Sequence, residues 1–298
     1  MYTIRQAAAR SGVPTTLLRA WERRYGIVQP QRTAAGYRLY DNASIELLRA
    51  MRHLVDAGWS AREAAARVLA ADAAELSSIG RELDAAPLPD GPFATLVTQF
   101  VDAAAVMDGG AMDSALDRAF STARFETVAD EMLLPALQQV GRRWATGEMS
   151  VAAEHAASAA IMRRLGMAFE AAGDRPDGAT VLVGLPPGSR HEGAAMAFAV
   201  AARRAGMNTI YLGADVPADS WLDAAQRRNA RAAVLGAVTA DDVDPATATL
   251  RLLARQAPKI TRAVGGRHAT SVVVPGTLQL PEGIGHAVAA LTAELARG

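Results

Sequence analysis

The feature that most narrows the possible folds is an alternation in the last third of the chain. Short apolar runs at 180–186, 208–212, 232–238, 260–264 and 277–280 are separated by helical patterns at 192–205, 218–229, 245–257 and 284–296. The runs suit buried strands, and flanking glycines and prolines bound them. Strands that alternate with helices predict a parallel sheet covered on both faces, with right-handed crossovers. In such a sheet, ligands bind beyond the carboxyl ends of the strands. The first run leads into Leu185-Pro-Pro-Gly-Ser-Arg-His191-Glu-Gly-Ala194, so His191 stands where a strand hands over to a helix. A neutral imidazole there can ligate a metal, and a loop or capping histidine would occupy the same place. The fourth run ends on Gly265-Gly266-Arg267-His268. Paired glycines admit a ligand close to the backbone, and a plain tight turn also uses them. The absence of G-x-G-x-x-G and of a P-loop argues against an ordinary dinucleotide or triphosphate site.

From Phe93 to Gly173 the pattern is helical, with breaks at Gly109-Gly110, near Arg124 and at Gly147, which predicts about four helices and a bundle. Pro135 interrupts the third of these and is expected to kink it. Trp144 ends that helix, and Glu154 and His155 follow about one turn into the next. A tryptophan, a carboxylate and an imidazole can thus meet at one end of the bundle; a packed Trp and a surface Glu-His pair give the same spacing.

The first seventy residues differ in charge as well as in pattern. They hold 11 Arg against 5 Asp and Glu, whereas 71–92 holds 1 Arg against 5 acids and the whole chain is neutral. A basic head points to a polyanion. Thr3-Ile-Arg-Gln6 is a capping box for a short helix closed by Gly12; Pro14 reopens a second helix whose apolar stripe is Leu17, Leu18, Trp21 and Tyr25. Two short helices about a glycine turn are a helix-turn-helix signature. Residues 32–40 alternate as a small hairpin or wing, Asp41 or Asn42 caps a further helix, and Ser60-Ala-Arg-Glu63 is a second capping box. Arginines on a helix and an adjacent wing can bridge phosphates and read guanine edges.

At 298 residues the chain has room for two or three domains. It has no cysteine, so it forms no disulfides or thiolate metal sites. Neither a membrane span nor a signal peptide is expected, and a cytoplasmic location is.

The stretch Leu-Arg-Ala-Trp-Glu-Arg-Arg-Tyr-Gly at 18–26, with Gly-Tyr-Arg-Leu-Tyr at 36–40, closely resembles the winged-helix DNA-binding domain of MerR-family regulators. That resemblance implies double-stranded operator DNA as partner, contacted by Arg19, Arg23, Tyr37, Arg38 and Tyr40, with Trp21 and Leu39 in the core. His191, Gly265-Gly266 and the Trp144, Glu154, His155 set together resemble cobalamin-binding modules. In those modules a histidine in an Asp-x-His-x-x-Gly setting ligates cobalt, the nucleotide tail enters beside a Gly-Gly, and a helical bundle covers the upper face. With the MerR-like head, the whole chain resembles the CarH-type light-dependent repressors. The resemblance implies adenosylcobalamin as cofactor, held by Trp144, Glu154, His155, His191, Thr239, Gly265 and Gly266, with His191 on the metal. It implies a dimer or tetramer that depends on ligand and light, and no catalytic turnover. The expected layout is a MerR winged helix at 1–72, a linker at 73–92, a four-helix bundle at 93–174 and a Rossmann-like cobalamin-binding domain at 175–298.

Several positions depart from that pattern. The Asp is Ser189, the Gly is Ala194 with Gly193 one place early, and only Thr239 offers a hydroxyl after the third strand. The missing carboxylate removes a bond that orients the imidazole, unless Glu192 or Ser189 supplies it. The residue after Trp144, a histidine that takes cobalt after illumination in the best-known members, is Ala145. These departures leave room for a different signal (haem, biliverdin or cobalamin without light). A corrinoid carrier module would suit the last two domains and not the head.

Overall fold

The computed structural model describes residues 1–33, 36–56, 61–71, 91–145 and 148–297. The head forms as its capping residues direct. The Thr3 hydroxyl accepts from the Gln6 N–H and the Gln6 side chain accepts from the Thr3 N–H, which opens α1 (Ile4–Ser11). Gly12 closes it in the left-handed conformation, with φ 70°, and α2 (Thr15–Tyr25) follows Pro14. The wing is a three-stranded antiparallel sheet with β3 (Arg38–Tyr40) between β1 (Tyr2–Thr3) and β2 (Gln31–Arg32). The alternation expected in β3 has the opposite phase: Tyr40 is fully buried and Leu39 only half-buried. The Tyr40 hydroxyl reaches Glu22, so its ring can fill the core without stranding a polar atom. Asp41 caps α3 (Asn42–Asp56) by accepting from the Ser44 N–H at 2.8 Å. α4 (Ala61–Ala70) follows; the capping box expected before it rests on Ser60, outside the described residues, as do most of the acidic linker and Gly147.

The bundle consists of α5 (Ala94–Ala105), α6 (Gly109–Thr122), a third helix in three parts and α9 (Val151–Ala171). Phe100, Leu116, Met132, Leu133, Ile161 and Leu165 are fully buried in its core. The break expected at Gly109-Gly110 falls earlier. Asp108 caps α6 by accepting from the Ala111 N–H, the glycines form its first turn, and the chain reverses at Val106 and Met107. The third helix runs from α7 (Phe125–Val128) through a π-helical turn at Ala129–Leu133 into α8 (Leu134–Ala145). Pro135 therefore accompanies a widened turn: it has no N–H for the carbonyl four residues back, and the Leu134 N–H reaches Ala129 O, five residues back.

The last domain has β4 (Thr180–Gly184), α10 (Glu192–Arg204), β5 (Asn208–Gly213), α11 (Ala218–Arg227), β6 (Ala232–Gly236), α12 (Val243–Gln256), β7 (Thr261–Gly265), β8 (Thr277–Gln279) and α13 (Ile284–Arg297). The strands are all parallel, in the order β5-β4-β6-β7-β8. Alternate residues of β4 serve opposite faces: Val181 and Val183 join α10, α13 and the bundle in one core, and Leu182 joins Trp221, Leu250 and Leu253 in another. The order reverses at β4, so the loop that follows this strand opens at the switch point.

Candidate functional site

His191 takes the N-cap position of α10 at that switch point. It is exposed, and its ring has no hydrogen-bond partner among the described residues. The loop that carries it is braced from β5. The Leu185 N–H donates to Gly213 O at 2.9 Å, the Asp215 N–H to Ser189 O at 2.9 Å, and the Gly188 N–H to the Asp215 carboxylate at 2.7 Å. Asp215 adopts φ 52°, which lets one residue serve the loop with both its backbone and its side chain. Sequence reasoning overlooked Asp215 and Tyr211; the signal for the first was a short Ala-Asp-Val-Pro stretch directly after a strand. Ser189 is 2% exposed and its Oγ has no partner. Glu192 does not orient His191, because its carboxylate accepts from the Tyr211 hydroxyl at 2.9 Å. Burial, with that bond second, holds the Tyr211 phenol well above its ordinary range.

The other strand ends supply a floor without side chains. Gly184 lies in register with Gly213, and Gly236 with Gly265. Gly266 has φ +105°, and a Cβ there would stand 2.5 Å from Ala237 O, so the backbone alone demands glycine at this position. Gly265 could carry a Cβ at ordinary distance, 3.4 Å from Leu280. The Thr239 N–H donates to Asp242 at 2.7 Å, which fixes its backbone beside the Gly-Gly turn. The His268 N–H donates to Ala237 O at 3.0 Å, and its buried Nε2 has no partner.

The bundle overhangs this edge. Arg203, near the end of α10, stacks 3.4 Å from the Phe169 ring and donates to Phe169 O near the end of α9. Counting back at the helical rise, Glu154 lies about 22 Å from that anchor and His191 about 18 Å, so both stand at the same end. Leu137 of α8 packs on Gly193, which has no room for a Cβ. Trp144, two turns further, is about 10 Å beyond that contact. Glu154 is 25% exposed and is held by the His155 ring and by the Ser158 hydroxyl. His155 itself is 75% exposed and lies at the outer side of the set.

The donor set suits a cobalt corrinoid. It offers the exposed, unpartnered His191 imidazole, and among the described residues no group of three His, Cys, Asp or Glu could hold a bare metal ion. Ser189 Oγ and His268 Nε2 are buried polar atoms without partners, of the kind that a bound polar group satisfies.

In the head, Arg19 and Arg23 are exposed on α2 and Tyr37 is 72% exposed on the wing. Of the expected DNA contacts, Tyr40 is enclosed in the core and Arg38, still partly exposed, is tied to α2. Tyr40 is buried, its hydroxyl donates to Glu22 at 3.2 Å, and burial with the Glu22 charge pushes its phenol up to about 12. Arg38 Nε donates to the same carboxylate at 3.0 Å, and that bond holds the guanidinium above its ordinary value. Glu22 thus pins the wing to α2, a role the helical pattern of 17–25 did not reveal.

A helix-turn-helix head with a basic reading face, joined to a helical bundle over an α/β module, defines a ligand-responsive transcription regulator. Comparison with known proteins specifies it further. Residues 2–70 match the MerR HTH family of regulatory proteins, and residues 96–168 and 159–277 match two B12 binding domain families. The chain is 33% identical over 221 residues to the HTH-type transcriptional repressor CarH of Myxococcus xanthus, covering 73% of this chain and 72% of that protein. It is 32% identical over 217 residues to the repressor CarA of the same organism, covering 72% and 69%. The monomethylamine corrinoid protein of Methanosarcina barkeri shares the fold at TM-score 0.54 and 13% identity, over 68% of this chain and 99% of that one. The protein belongs to the family of MerR-type transcriptional repressors with B12-binding domains, whose members are regulators and not enzymes.

Proposed function

We propose that this repressor holds adenosylcobalamin between bundle and α/β domain and uses it to sense light. The observation that carries the reading is the exposed, unpartnered His191 ring at the switch point, beneath the bundle end that bears Trp144 and Glu154. Bound adenosylcobalamin supplies a cobalt–carbon bond that light breaks. His191 would hold the metal from below, and its loop is kept in place by Asp215. Ser189, Thr239, Gly265 and Gly266 would receive the nucleotide tail, Trp144 and Glu154 would contact the upper group, and His155 would border it. Arg19, Arg23 and Tyr37 would grip operator DNA, with Arg38 and the buried Tyr40 shaping the wing. Loaded chains associate, and association multiplies DNA affinity because each added head acts at high effective concentration. Trp144 and Glu154 would lose their contact once that group left, the bundle could then shift, and the oligomer and its DNA complex would dissociate.

The test is size-exclusion chromatography with absorbance detection, with and without adenosylcobalamin, before and after illumination. Co-elution of cofactor and a larger species in the dark, lost on illumination, is expected. An unchanged profile rejects the reading. A second reading, cobalamin sensing without light, has Ala145 behind it, since that side chain has no donor atom. It predicts a cofactor-dependent oligomer that illumination leaves intact.

A further inference from the structure

Among the described residues, Arg52 is one point at which the head meets the bundle. Arg52 projects from α3 and places its guanidinium 4.3 Å from the centroid of the Trp144 ring on the last turn of α8. Its Nη1 also donates to Gly12 O at 3.0 Å. Gly12 is the left-handed residue between α1 and α2, the turn of the helix-turn-helix. One helical turn earlier, Arg49 donates to Arg10 O at 2.8 Å, so α3 holds this turn from two positions. A single cation is therefore bonded to the DNA-reading unit and stacked on the aromatic that overhangs the cofactor edge.

Trp144 is half-buried and packs on the bundle core. Arg52 lies over one face of its ring. A guanidinium over an indole is a favourable pairing that weakens sharply once the two separate. A planar group that stacks on that face of Trp144 must displace the guanidinium first.

We propose that Arg52 is a latch: it docks the DNA-binding head on the bundle in the cofactor-free chain, and the upper group of the bound cobalamin competes with it for Trp144. This rests on the proposed contact between Trp144 and that upper group. Linkage makes the competition reciprocal. Whatever docks the head weakens cofactor binding, and loading the cofactor frees the head by the same factor. A sensor of this kind couples ligand to DNA binding inside one chain, before any association of chains.

Two measurements on the full-length protein test it. The first is small-angle X-ray scattering of cofactor-free protein. Arg52→Ala and Trp144→Ala should each enlarge the radius of gyration, and the double variant should enlarge it no further than either alone. The second is a dark absorbance titration with adenosylcobalamin, in which Arg52→Ala should bind roughly 2- to 30-fold more tightly than wild type, the range of such a cation–aromatic contact. Arg52→Lys keeps the charge, loses the flat stack and should fall between. It also guards against a misfolded head, which far-ultraviolet circular dichroism would report. Additive changes in size, or equal affinities, overturn the latch. If wild type binds no cobalamin while scattering still shows the Arg52-dependent compaction, the cofactor reading fails and the docking contact stands without its competitor.

Discussion

Two residues show how little of a side chain's role can be read from its type. Tyr40 sits in a motif that suggests DNA contact, and its burial assigns it to the head core. Tyr40→Phe should cost about 1.5–3 kcal/mol, the range for a hydrogen bond to a charged acceptor, as measured by urea unfolding. Its raised phenol also fixes a pH dependence. The unfolded phenol ionises near 10 and the folded one near 12, so this contribution is complete below pH 10 and declines between 10 and 12. Ultraviolet titration of phenolate against unfolding in wild type and Tyr40→Phe checks the sign. Ser189 replaces the carboxylate of the family motif, and its Oγ is buried without a partner. Ser189→Ala should leave the stability of cofactor-free protein within about 0.5 kcal/mol and weaken cobalamin binding. Equal weakening of both would make the hydroxyl merely structural. His191→Ala should abolish or shift the spectrum of the bound corrinoid, and an identical spectrum would remove it as ligand.

Among the elements, the interrupted third helix of the bundle is the instructive one. Sequence shows a proline in a helical run, which suggests a bend. The chain widens by one residue at Ala129–Leu133, just before the proline, and Asp130 in this widened turn accepts from the Ile284 N–H at 2.8 and 3.0 Å. Bundle and α/β domain are thereby joined at the start of α13 by a carboxylate on a helix N-terminus. Asp130→Ala should cost about 1 kcal/mol, the usual loss for a side-chain helix cap. Calorimetry of the cofactor-free protein measures it, and no loss would mean that the other contacts, Arg203 with Phe169 among them, suffice to fix the two domains. In the head, the reading helix presents Arg19 and Arg23 outward. Either one changed to Ala should weaken operator binding across sequences and reduce the salt slope by about one. Arg38→Ala should act differently, through loss of the Glu22 bond, by loosening the wing.

At the scale of the whole molecule, three units serve one purpose. The head is the MerR-type unit that binds operator DNA, the bundle and sheet are the B12-binding domains, and α3 against α8 links head and bundle through Arg52 and Trp144. Among the described residues no helix is long and apolar enough to cross a membrane. A dark, cofactor-dependent increase in mass is the expected behaviour, and Trp144→Ala should prevent it while leaving the circular dichroism of the folded chain intact. A dark oligomer that persists in that variant argues against the bundle as the sensing element.

By itself the sequence determined the elements and their class. Caps, glycine stops and apolar periods act over a few residues, so Thr3 and Gln6, Gly12, the five strands and the helices between them follow from local rules. The motif spacing also pointed to His191, because a strand-to-helix junction has a known place in a parallel sheet. Tertiary structure decided which polar atoms meet. Glu22 binds Arg38 and Tyr40, Asp215 braces the His191 loop, Tyr211 takes Glu192, and Arg52 covers Trp144. Each of these pairs is separated by 16 to 92 residues and forms only when packing brings the two partners together. No local pattern records such a choice, since it is made by the geometry of the assembled core.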